Sequence, residues 1–187
     1  MKRIPVDPLY VDEATRLIKA RPTANRGKYD GSVRDQIVGK IGELVVAEFL
    51  GVELPGAEGF DHGIDMVIGY MVIDVKTKIR RVPIKPWYAF NVPLSQYIGK
   101  EYKNNTYLFA SYNDEKQTLE IAGYISKLLF DRRCIYLPVG AKRRRANGTW
   151  YPTVNGYEVE MVEIVQAALM PIDQKDDVLL QSYNNSY

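Results

Sequence analysis

Histidine and cysteine are almost missing from this chain: His62 and Cys134 are the only ones in 187 residues. A lone cysteine cannot close an internal disulfide, and it fits a reducing compartment. The two together cannot build a Cys/His zinc site without several carboxylates. A Ser-His-Asp or Cys-His hydrolase would have to use His62, which sits in a glycine-flanked loop stretch. No run of 18 apolar residues occurs, so no spanning helix is expected. The opening Met1-Lys2-Arg3-Ile4-Pro5-Val6-Asp7-Pro8 has no apolar signal region either, and a cytoplasmic setting is the expectation. Phosphate-cradling glycine loops of the Walker and dinucleotide kinds are both absent, so no nucleotide cofactor is expected. Hydrolytic chemistry, if present, is pushed towards carboxylates and a metal.

What is present is an ordinary globular composition, 46% hydrophobic and 26% charged. The length suits one domain, expected over residues 1–172, with a polar tail over 173–187. Helical spacing predicts a short helix over residues 10–20 and a long central one over 33–50, stopped by Gly51. Gly39 and Gly42 lie inside the long helix, where each costs about 1 kcal/mol relative to alanine. Glycines kept there suggest that something approaches closely. A basic loop is expected over 21–32, a short strand over 52–54, and a hairpin from strands 64–68 and 71–76 across Gly69-Tyr70. A strand at 87–92, a helix at 94–103, a second hairpin from 106–112 and 118–123, a helix at 126–133 and a strand at 157–165 follow. Together these predict an α/β fold with a mixed sheet.

The register of the first hairpin carries the chemical signal. A two-residue loop at Gly69-Tyr70, with glycine first as a type II′ turn prefers, pairs Ile68 with Met71 and Val67 with Val72. Continued, it sets Asp65 opposite Asp74, unless a bulge shifts the strand. Opposed carboxylates repel, so a cation between them is the economical explanation. Lys76 projects from the same face as Asp74. Mg²⁺, with Mn²⁺ as a substitute, suits a few carboxylates plus substrate phosphate. The plainer alternative is that Asp65 ends its strand and Asp74 pairs with Lys76 or Lys78.

Gly42-Glu43 in a helix, then Asp65, then Asp74-Val75-Lys76, resembles the PD-(D/E)xK nuclease superfamily over roughly residues 33–125. Ile64 stands where that pattern prefers proline. The resemblance implies a restriction-endonuclease-like αβββαβ core, its mixed central sheet flanked by helices, with a C-terminal extension. Archaeal-type Holliday-junction resolvases and small phage or restriction nucleases are the similar relatives. It implies that Asp65 and Asp74 hold Mg²⁺, with Glu43 and the Val75 carbonyl completing the set, while Lys76 orients the attacking water or neutralises developing charge. Glu48, which falls among the apolar positions of the same helix, is the competing helix carboxylate.

The charge supports a nucleic-acid partner. Residues 158–187 hold six acids and one base, leaving 24 bases against 17 acids in residues 1–157, a net of +7 behind the overall +2. Lys78, Arg80, Arg81 and Lys85 run out from Lys76 with no acid between them, and Lys142, Arg143, Arg144 and Arg145 form a second run. Such cations bind phosphates whatever the sequence. Trp87 and Tyr88 could stack on unpaired bases. The expected activity is Mg²⁺-dependent hydrolysis of DNA, and a symmetric cut would favour a two-fold dimer. The competing expectations are a catalytically inactive nucleic-acid-binding module of the same fold, or a phage or mobile-element protein that works by binding another protein.

Overall fold

Eighteen residues, Val33–Leu50, form the long helix (α2), and its ends show why it starts and stops there. Ser32 caps it, with its hydroxyl accepting from the Asp35 N–H and the Asp35 carboxylate accepting from the Ser32 N–H. This reciprocal cap satisfies two otherwise orphaned donors. Gly51 closes the other end at φ 65°, where an L side chain would be strained. The helix buries Val38, Ile41, Val45, Val46 and Leu50.

The computed structural model describes residues 2–20, 32–54, 63–85, 88–99, 102–145, 148–150, 152 and 156–160. Before α2 come β1 (Lys2–Pro5) and α1 (Pro8–Ala20). After it come β2 (Met66–Ile68), β3 (Met71–Ile79), β4 (Ala89–Pro93), α3 (Leu94–Ile98), β5 (Thr106–Asn113), β6 (Thr118–Ser126) and α4 (Lys127–Arg133). The short strands β7 (Ile135–Leu137), β8 (Arg143–Arg145), β9 (Gly148–Trp150) and β10 (Gly156–Glu160) complete the described chain.

The central sheet has the order β1-β6-β5-β3-β2 and is mixed: β3 and β5 run parallel, and every other pair is antiparallel. Strand alternation sends Leu108, Ala110 and Tyr112 of β5 into an aliphatic core with α2, while Tyr107 and Phe109 enter an aromatic core on the other side. That second core also holds Phe90, Val92, Phe130 and Val159, from β4, α4 and β10. The molecule is thus an α/β protein with helices on both sides of a mixed sheet.

Several expectations change. The expected strand at 87–92 does form, as β4, but it joins a separate sheet of order β4-β10-β7 rather than the central one. Residues 52–54 are not in a strand. The expected helix at 94–103 stops after Ile98, where Gly99 takes an extended conformation. The arginines of the second basic run form β8, paired with β9 across Arg143–Trp150, Arg144–Thr149 and Arg145–Gly148. An additional strand, β1, pairs Lys2 with Ile121 despite the nearby prolines. Pro5 is tolerated there because β1 is an edge. The basic loop up to residue 31, Trp87, residues 161–165 and the polar tail over 173–187 lie outside the described residues.

Candidate metal and phosphodiester site

The hairpin β2–β3 forms in the expected register, pairing Ile68 with Met71 and Val67 with Val72. Gly69 has φ 56°, and Tyr70 is not among the described residues with positive φ, as a glycine-first two-residue turn requires. Above Met66–Ile73 the regular ladder stops. Asp65 donates its N–H to the Ile73 carbonyl at 2.9 Å, and its Oδ2 accepts the Val75 N–H at 2.6 Å. The predicted direct opposition of Asp65 and Asp74 is therefore corrected. Both Asp65 and Met66 lie against Ile73, a two-against-one arrangement of the kind that bends a strand and re-aims a side chain. The Asp65 carboxylate replaces the missing strand partner of Val75. The Val75 carbonyl leaves β3 on the same side, since a residue's N–H and C=O share an edge.

The acids still meet. Asp65 and Asp74 are both buried, and the ionisation of Asp65 is pushed well above the ordinary carboxylate range. Burial is the main cause, with the charges of Glu43 and Asp74 adding to it; Lys76 and the Val75 N–H oppose it. Carboxylates from α2 and β3 thus both act on Asp65, which immediately precedes β2. Glu43 is placed by the close seat of its helix. A Cβ on Gly42 would lie 1.8 Å from Thr77 Oγ1 and 2.9 Å from Thr77 Cβ, so only glycine lets α2 approach β3 here. Glu48, the competing helix carboxylate, is exposed and hydrogen-bonded to Tyr10, whose pKa is thereby pushed up to about 12.

Two of the three acids are ion-paired. Lys76 Nζ lies 2.7 Å from Asp74 Oδ1, the plainer alternative that the sequence left open. Lys40, one turn before Glu43 and itself buried, pairs with Glu43. Burial works against the charge of Lys76, but Asp74 and Asp65 outweigh it and hold its pKa above the usual value. Lys127 has its pKa lowered by burial, with Asp74 pulling the other way.

Among the described residues, no three His, Cys, Asp or Glu side chains are grouped closely enough to hold an ion as they stand. The donor chemistry nonetheless fits one. A hard divalent cation prefers carboxylate and carbonyl oxygens. Asp65, Asp74, Glu43 and the Val75 carbonyl supply that type, and burial resists the ionisation of Asp65 in the way a cation would reverse. Engagement requires Lys76 and Lys40 to release their partners.

The cations expected to meet DNA are largely turned to intramolecular use. Lys78 bonds Asn91; Arg80 donates to the Ala89 carbonyl at 2.7 Å and lies over the Tyr88 and Phe90 rings. Arg81 pairs with Asp114 and Glu115 at 3.1 Å each. Arg143 pairs at 2.8 Å with Glu158, which also meets Asn91. Lys85 is exposed. Arg144 and Arg145 have their backbone in β8, and their side chains lie outside the described ones.

Two polar residues beside the acids carry no short-range sequence signal. Tyr107 is the β5 partner of Asp74 in the parallel register, so both project from one face. Asn104 precedes β5 and lies against the Tyr107 hydroxyl. Only the crossover from β3 to β5 brings them here. Lys40 could have been found, because i and i+3 are neighbours on a helix.

Comparison of the chain with protein-family models, with curated proteins and with solved structures returns no match. No described helix is long and apolar enough to cross a membrane.

Proposed function

We propose that this chain is a metal-dependent nuclease of the PD-(D/E)xK type, hydrolysing phosphodiester bonds in DNA. The observation that carries the reading is a buried Asp65 under the charges of both Glu43 and Asp74, with Lys76 against Asp74. Asp65, Asp74, Glu43 and the Val75 carbonyl would hold Mg²⁺, which would lower the pKa of a bound water and polarise the scissile phosphate. The chain's own residues do the rest. Asp65 is oriented by the Val75 N–H, so its remaining oxygen is directed without loss of side-chain entropy on binding. Lys76 is charged throughout the neutral range and, once drawn off Asp74, faces the phosphate as a compact positive donor. Its charge then falls on the oxygens where negative charge grows.

A second reading is a non-catalytic DNA-binding protein of the same fold, and the Lys76–Asp74 pair favours it, since that pair gives Asp74 a structural use. One assay separates the two. Junction, flap, linear duplex and single-stranded DNAs are incubated with Mg²⁺ and with EDTA, using the wild type and Asp74→Ala. The nuclease reading expects cleavage by the wild type in Mg²⁺ alone, lost in the variant while DNA binding persists. Mg²⁺-dependent cleavage that survives Asp74→Ala, or binding to every substrate with none cut, overturns it.

A further inference from the structure

Asn104 is 4% exposed; its side-chain amide lies against the Tyr107 hydroxyl, and its Oδ1 has no hydrogen-bond partner among the described residues. The hydroxyl of Tyr107, a fully buried residue, has Asn104 beside it but no acceptor for its own proton among the described residues. Buried polar groups are rarely left so, because each unmet donor or acceptor forfeits its hydration. These two residues adjoin each other and are bracketed by the acids. Tyr107 sits beside Asp74 in the β3–β5 register. Asn104 Oδ1 lies 3.6 Å from where a Cβ on Gly63 would be, and Gly63 stands two residues before Asp65. The unmet amide oxygen and hydroxyl proton are thus placed between the segments that deliver the two aspartates.

A divalent ion held by two or three carboxylates keeps several waters, and those waters must donate to and accept from something. An amide offering both a carbonyl oxygen and an NH₂, next to a hydroxyl that can do either, suits that task. Phosphate would suit it less, since the amide carbonyl and Asp74 both repel an anion. We propose that Asn104 and Tyr107 are positioning residues for the cation site, hydrogen-bonding its retained waters and fixing how the ion sits between Asp65 and Asp74. The inference rests on the metal-site reading above. It adds that the ion's affinity and geometry depend on residues that make no direct bond to it, as outer hydrogen bonds commonly do.

The test measures Mn²⁺ binding by the full chain, using calorimetry and the electron-spin resonance of the bound ion, with stability followed in EDTA. The variants are Tyr107→Phe, Asn104→Ala and, as a control, Asp74→Asn. Tyr107→Phe removes one oxygen from a packed ring and leaves the shape intact. The expected result is a loss of roughly 10-fold or more in Mn²⁺ affinity for both outer variants. The metal-free Tm of Tyr107→Phe is expected near that of wild type, because the hydroxyl lost has no acceptor for its own proton in the metal-free protein. Mn²⁺ affinity within twofold of wild type in Tyr107→Phe overturns the proposal, as does a resonance spectrum that neither variant alters. A wild type whose Mn²⁺ binding survives Asp74→Asn overturns the metal-site reading instead. The two failures are therefore told apart in one set of titrations.

Discussion

The two sides of the central sheet are built on different terms. On the α2 side, Ile73, Val75, Leu108 and Ala110 meet Ile41, Val45 and Val46 in an aliphatic core. On the other side, aromatic rings fill the space, with Tyr107 and Phe130 5.1 Å apart and Phe90 and Phe109 4.9 Å apart. Polar residues are admitted on this side, as Asp74, Tyr107, Lys78, Asn91 and Glu158 show. The helix side fixes the backbone of β3; the aromatic side lets that strand carry charge. The helix that braces this strand also carries Glu43, so packing and candidate site share α2.

The largest break in that comparison is Gly42→Ala. Its Cβ would meet the Cβ of Thr77, which no rotation removes, so a loss of about 3 kcal/mol in urea unfolding is expected. Gly39→Ala is the internal control: nothing lies within 4 Å, and it should stabilise by up to about 1 kcal/mol. A Gly42→Ala protein as stable as the Gly39→Ala one would show that α2 is not seated as described. On the aromatic side, Glu158→Ala should cost about 2 kcal/mol, since Arg143 and Asn91 lose a buried partner. Arg143→Ala should cost comparably, and the double variant less than the sum of the two. Strict additivity in that double-mutant cycle would dismiss the network.

A smaller and oppositely signed effect is expected at Asp65. Its folded pKa lies above the ordinary value of 3.8, so in the metal-free protein the native state holds more protons than the unfolded chain between those two values. Stability therefore falls as pH rises through that window. Asp65→Asn should remove the slope and leave the metal-free protein more stable than wild type at neutral pH. Unfolding in EDTA across pH 4 to 8 reads this directly. A wild type that gains stability over the range would mean that Lys76 and Lys40 already compensate the acids in full. The smallest effect belongs to the surface cluster of Arg34, Arg81 and Asp114, where Asp114→Asn should change stability little and only at low salt.

Local pattern carried the elements whose signals are short-range. The α2 boundaries followed from apolar spacing and Gly51, and the hairpin register followed from Gly69-Tyr70 between two β-rich runs. The positions of Asp74 and Lys76 on one strand face came with it. What local pattern could not carry was pairing over long separations. The assignment of β4 to a second sheet depends on β10, more than 60 residues later, and the burial of Asn104 and Tyr107 beside Asp74 depends on the parallel β3–β5 register. Asp65 illustrates the boundary between the two. Its nearness to Asp74 was legible, but its side-chain bond to the Val75 N–H was not, because that bond replaces the strand residue the regular ladder lacks.

The sheet's outer strands have one more consequence. β2 is three residues long and β1 four, with Lys2 and Arg3 at its start and Pro5 at its end. A rim this short and this charged gives a foreign strand little to add to, and so resists edge-to-edge aggregation. A two-fold partner, where one assembles, is thereby steered away from continuing the sheet and towards packing surface against surface.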